Sequence, residues 1–129
     1  MAATESYPDE LKYHKEHDWA RIDGDEAVLG ITWFAADSLG ELVHFEPPEV
    51  GATVSKDQSY GEVESVKAVS DVIAPMSGEI VEVNTGLGDN PEAINDDPYG
   101  AGWMVRVRVS DPSEREALMD AEAYEKSLQ

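Results

Sequence analysis

The chain contains no cysteine. That removes disulfides, thiolate metal ligands and thiol nucleophiles, so any sulfur chemistry has to arrive on an attached group. Basic residues are scarce: nine Lys and Arg stand against 28 Asp and Glu, a net charge of −19. The deficit argues against nucleic acid, because phosphate binding draws its affinity from Lys and Arg releasing counterions. It argues equally against anionic membrane surfaces. No apolar run approaches the length of a membrane span. The first residues, Met1-Ala2-Ala3-Thr4-Glu5-Ser6, hold neither the basic n-region and apolar h-region of a secretory signal nor the arginines of a transit peptide. A cytoplasmic protein of bacterial type is the simplest reading, with a processed organellar form left open. There is no Gly-rich phosphate loop, and no repeat with a period of about 20 to 50 residues.

What remains is an acidic chain of 129 residues, enough for one domain with a modest core. Its charge favours a monomer and steers it toward basic partners in a salt-sensitive way. Residues 1–10 are small, polar and acidic, and are expected to form a flexible tail ahead of a single domain over 11–129. Short strands separated by turn signals follow. Residues 19–22 and 27–31 flank Asp23-Gly24-Asp25-Glu26, a hairpin pattern. Thr32 is placed to cap a short helix stopped by Gly40, and residues 42–45 read as a strand. Residues 54–83 hold three or four strands. Asn90-Pro91 suggests a cap and first turn of a brief helix through Ile94. From 103 to 109 the chain alternates, with Trp103, Val105, Val107 and Val109 on one face and Met104, Arg106 and Arg108 on the other. Asp111-Pro112-Ser113-Glu114 resembles a capping box, opening helix in two pieces from about 112. The expected class is mainly β with short peripheral helices, arranged as a barrel or sandwich of two sheets.

Chemistry centres on Lys67, in Glu64-Ser65-Val66-Lys67-Ala68-Val69-Ser70-Asp71 between two β-type runs. A lysine presented by a tight turn between packed strands suits acylation by another enzyme, which replaces the ammonium with an amide and a long arm. A solvated turn lysine is the plain alternative. His14 and His17 are three apart beside Asp18, but the spacing falls on no predicted helix and no third metal ligand is evident. Asn95-Asp96-Asp97 lacks the glycine and terminal glutamate of a calcium loop. Ser65, Ser70 and Ser77 have no activating neighbours. Catalysis by the chain itself is not expected.

The order of residues goes further. Tyr60-Gly61-Glu62-Val63-Glu64-Ser65-Val66-Lys67, followed by Ser70-Asp71-Val72-Ile73-Ala74-Pro75-Met76-Ser77-Gly78-Glu79-Ile80, resembles the lipoyl-attachment region of the glycine cleavage system H proteins. So do Tyr13 with Glu16-His17-Asp18-Trp19, Gly30-Ile31-Thr32, Leu39-Gly40-Glu41-Leu42-Val43, Pro48-Glu49-Val50-Gly51-Ala52, Asn95-Asp96-Asp97-Pro98-Tyr99-Gly100 with Gly102-Trp103, and Asp120-Ala121-Glu122-Ala123-Tyr124. The similarity runs in order from Leu11 to the C-terminus. Biotin carriers, which place methionine on both sides of the lysine, and the lipoyl domains of 2-oxo acid dehydrogenases are less similar.

The resemblance implies a barrel-sandwich hybrid of the lipoyl/biotinyl type, two antiparallel sheets with C-terminal helices. It implies lipoate on Lys67, attached by lipoate-attaching enzymes, and a non-catalytic carrier role. The arm would take an aminomethyl group from a pyridoxal-phosphate glycine decarboxylase and pass it to an aminomethyltransferase that uses tetrahydrofolate. A flavin-dependent dihydrolipoyl dehydrogenase would reoxidise the dithiol. Position within the matching motifs makes Asp18, Asp71 and Glu16 the candidates for sheltering the cationic cargo. Two departures stand out: Trp33-Phe34, where the family shows an acidic or polar residue and then an aromatic, and His44 with Pro47, where it shows apolar residues. Other readings of the same residues are a paralogue serving lipoate relay or another redox pathway, an unmodified acidic binding protein on this scaffold, and, last, a metal-assisted hydrolase using His14 and His17.

Overall fold

A computed structural model describes residues 3–129. Among the described residues nine strands form two antiparallel sheets. The larger has the order β1 (Lys12–Tyr13), β2 (Asp18–Asp23), β3 (Glu26–Ile31), β9 (Val105–Val109), β8 (Gly78–Val83), β5 (Thr53–Val54). The smaller has the order β4 (Leu42–Glu46), β6 (Ser59–Ser65), β7 (Val69–Ile73). The expected two-sheet class holds. Ala20, Leu29, Ile31, Ile80, Val105 and Val107 of the large sheet meet Leu42, Phe45, Val63 and Val72 of the small one in the main core. In the small sheet Phe45, Val63 and Val72 alternate with outward residues, which is what lets a half-buried strand hide one face. The β2–β3 hairpin turns through Gly24-Asp25, where Gly24 takes φ +64°, a value that suits glycine in a two-residue turn.

A second cluster of Tyr7, Leu11, Tyr13, Trp19, Tyr99, Ala121 and Tyr124 covers the other face of β1–β2. Tyr13 and Tyr124 stack with centroids 4.8 Å apart. Tyr7, within the segment expected to be a tail, is part of this cluster; Met1 and Ala2 lie outside the described residues. Tyr7 is buried and Tyr99 Oη donates to the Ser6 carbonyl at 2.7 Å. The Ala3 amide donates to the Asn95 carbonyl at 3.2 Å. Aromatic burial outweighs the polar local composition.

The helices are short. Thr32 caps α1 (Trp33–Leu39), its hydroxyl accepting from the Ala35 amide, and Gly40 ends it at φ +86°. The helix expected at 90–94 is displaced: α2 is Ala93–Asp96, and Asn90 instead offers its carbonyl to the Ala93 amide. A 3-10 turn over Thr85–Gly88, capped by Asn84, was not foreseen. Met104 does not share the polar face assigned to it, for it is fully buried and the pleat begins at Val105. The C-terminal pieces are a 3-10 helix over Pro112–Ala117 and α3 (Ala121–Ser127). Asp111 caps the first, but Glu114 does not close a capping box. Its carboxylate accepts from the Ser77 amide and hydroxyl at 2.7 and 2.9 Å, clamping the helix to the turn before β8. Among the described residues no helix is long and apolar enough to cross a membrane.

Candidate functional site

The β6–β7 turn is built around Ser65, a buried polar residue. Its amide donates to the Ala68 carbonyl at 2.7 Å. Its hydroxyl oxygen accepts from the amides of Lys67 and Ala68 at 3.2 and 3.0 Å. The next amide, of Val66, donates to the Glu41 carbonyl at 3.1 Å, which ties the turn to the chain entering β4. Four consecutive amides are therefore satisfied within a two-strand connection, and the backbone under Lys67 is held on both sides. The Lys67 side chain is exposed. Among the described residues no carboxylate lies within ion-pair distance of it. Its stem rests against the end of α1, where a Cβ on Gly40 would lie 3.5 Å from Lys67 Cε.

Of the three candidate carboxylates, Asp18 is buried at the start of β2, accepting from the Ile73 amide at 3.3 Å. Burial pushes its pKa well above the ordinary carboxylate value, and the nearby charge of Glu16 pushes the same way against the amide. Asp71 is exposed on β7 opposite Glu62, with the Ser59 hydroxyl donating to it at 3.4 Å. Glu16 is exposed, and its amide donates to His14 Nδ1 at 3.0 Å. Asp18 thus reaches the small sheet two residues from Asp71 along β7, and no hydrogen bond joins the three carboxylates among the described residues.

A groove that sequence reasoning missed lies between α1 and α2. It encloses about 390 Å³ and is lined by Trp33, Ala36, Asp37, Gly40, Glu41 and Asn95, among others. Asn95 braces it, donating to the Gly40 carbonyl and accepting from the Leu42 amide, each at 2.9 Å. No local motif could have revealed it, since its two sides lie more than 50 residues apart in sequence. The only available signal was the polar run Asn95-Asp96-Asp97.

The histidines go to separate partners. His14 Nε2 lies 2.6 Å from Asp57, and that contact, with Lys56, lowers the Asp57 pKa. His17 Nδ1 lies 2.7 Å from Tyr124 Oη, which also meets Thr32 Oγ1 at 2.9 Å. Burial lowers the His17 pKa. His44 is exposed beside Glu46.

A family model described as "Glycine cleavage H-protein" matches residues 11–129. A curated glycine cleavage system H protein from Myxococcus xanthus is 49% identical over 125 residues, covering 97% of each chain. Another, from Symbiobacterium thermophilum, is 52% identical over 118 residues and 92% of each chain. The crystal structure of a glycine cleavage system H protein from Mycobacterium marinum superposes with a TM-score of 0.83 at 45% identity, covering 94% of this chain and 98% of that one.

Proposed function

The chain belongs to the glycine cleavage H-protein family, and we propose that it works as the lipoyl carrier of glycine cleavage, with Lys67 as the residue that takes the arm. The observation that carries this assignment is the Lys67 turn: an exposed amine with no ion pair among the described residues, on a backbone whose amides are all engaged. An amine open to solvent on a fixed turn is accessible to an attaching enzyme.

Bound there in amide linkage, lipoate supplies a disulfide ring able to accept an aminomethyl group. The chain's own residues hold the base of that arm. Ser65 locks the turn, and the lysine stem lies beside Gly40 at the end of α1. A fixed base keeps the reactive end at high local concentration near any docked enzyme. We assign Asp18 and Asp71 to sheltering the cationic cargo, with Glu16 outside them. Burial raises the Asp18 pKa, and an approaching ammonium would favour its charged form. The chemical steps fall to the partners: a pyridoxal-phosphate glycine decarboxylase, an aminomethyltransferase and a dihydrolipoyl dehydrogenase.

Intact-mass measurement of protein from its native cell tests the attachment. The wild-type chain should carry one lipoyl mass that Lys67→Ala lacks. Adding the modified chain to glycine decarboxylase should then support glycine-dependent exchange of carbon dioxide. A lipoylated chain that supports none would sink the glycine cleavage role while leaving the attachment intact.

A further inference from the structure

Residues 3–10 precede the 11–129 match of the family model, and among the described residues the main core of the two sheets takes none of them. The fold nevertheless holds this segment at several points. The Ala3 carbonyl accepts from Trp33 Nε1 at 2.8 Å, and the Ala3 amide donates to the Asn95 carbonyl at 3.2 Å. Trp33 opens α1 and Asn95 lies in α2, and both line the groove between those helices. One residue therefore ties the two walls of the groove together. Farther along, the Ser6 carbonyl accepts from Tyr99 Oη at 2.7 Å, and the same hydroxyl oxygen accepts from the Trp33 amide at 2.9 Å. Tyr13 Oη donates to the Pro8 carbonyl at 2.7 Å.

These attachments are few and mostly at the surface. Among residues 3–10 only Tyr7 is buried, edge-on to Tyr13 and Tyr124 with centroids 6.4 and 5.4 Å away. The segment carries Glu5, Asp9 and Glu10 and no Lys or Arg, so the general repulsion of a chain at −19 works against its closure. A segment with one buried side chain and a handful of backbone hydrogen bonds belongs to the low-stability end of a fold and opens well below the global unfolding free energy. Its release removes no strand from either sheet. It does free the Trp33 indole and unlink α1 from α2 at that end of the groove, whose wall includes the buried Ala36.

We infer that residues 3–8 are a strap closed across the groove between α1 and α2, which opens while the two-sheet core stays folded and so controls access to the groove wall. Ala3 is the clasp, because it bonds both walls. Tyr7 is the anchor, because its ring alone is packed inside.

The lack of native cysteine makes the test direct, since an introduced thiol is the only one in the chain. Ala36→Cys places it in the groove wall and Val50→Cys places it on the open surface. Both full-length chains are labelled with a maleimide under native conditions. In the Ala36→Cys chain, adding Ala3→Pro, which removes the clasp's amide donor, together with Tyr7→Ala should speed labelling about tenfold or more. Ala3→Pro alone should speed it about threefold. The Val50→Cys chain should label at one rate with or without these changes. Amide exchange across the paired strands β3 and β9 follows the core and should stay slow throughout. Labelling of Ala36→Cys that ignores the strap substitutions overturns the proposal. Labelling and β3–β9 exchange that rise by the same factor also overturn it, because the segment would then open only with the core. If the double substitution does not fold, Ala3→Pro alone decides.

Discussion

Asp18 enters the protein interior with the Ile73 amide as its hydrogen-bond donor, and its pKa is raised by burial. Below the ordinary value of 3.8 the carboxyl is protonated whether the chain is folded or not, and it contributes nothing to pH dependence. Above that value the unfolded chain ionises while the folded one keeps its proton, so stability falls as pH rises toward the folded-state pKa. Asp18→Asn should therefore match wild type near pH 3 and become progressively more stable than wild type toward neutrality; urea unfolding across that range measures the gap, and a constant gap refutes the assignment. The same variant, and Asp71→Asn, should shorten the lifetime of the aminomethyl-loaded arm against hydrolysis. Asp71→Asn should do so with stability changed by no more than about 0.5 kcal/mol, because it is exposed. Lys67 was legible from its flanking motif because the turn is made by its own neighbours. The burial of Asp18 was not, since the amide that meets it comes from a strand 55 residues away.

At the scale of elements, the N-terminus of α1 joins local and distant chemistry in one hydroxyl. Thr32 caps the helix and also meets Tyr124 Oη from α3. Thr32→Ala should cost about 1 to 2 kcal/mol in chemical unfolding, from the lost cap and a weakened Tyr124 contact. Thr32→Ser should recover most of it, whereas equal losses for both would point to the methyl group. The cap was readable because Thr followed by a helical apolar pattern and a stopping Gly is a short-range signal. Elements placed by distant partners were not. Asn90-Pro91 carries a start signal, yet the helix begins later, where Gly102 packs against Ile94: a Cβ there would come within 2.7 Å of Ile94 Cα. Glu114 sits at capping-box spacing but serves Ser77, whose position depends on how β8 enters the large sheet. Glu114→Gln should loosen this clamp and raise amide exchange at Ser77 more than at Ser113.

At the scale of the whole molecule, 28 acidic residues against nine basic ones make self-repulsion a general term in stability. Added sodium chloride should raise the thermal midpoint between about 0.01 and 0.5 M as the screening length shrinks from about 30 Å to a few Å. A flat or falling midpoint would mean that the ion pairs Arg106–Glu82 and Arg108–Glu79 outweigh the repulsion. Composition, charge, the hairpin, the caps of α1 and the C-terminal pieces, and the Ser65 bonds of the Lys67 turn follow from the sequence alone, because neighbours within a few residues make them. The tertiary structure alone decided the rest. It packed Tyr7 into an aromatic cluster, buried Asp18 and Met104, opened a groove between α1 and α2, and left Val43, Val66 and Val69 exposed. Each of those depends on which strand lies beside which, and the two-sheet pairing that sets it is made by contacts far apart in the chain.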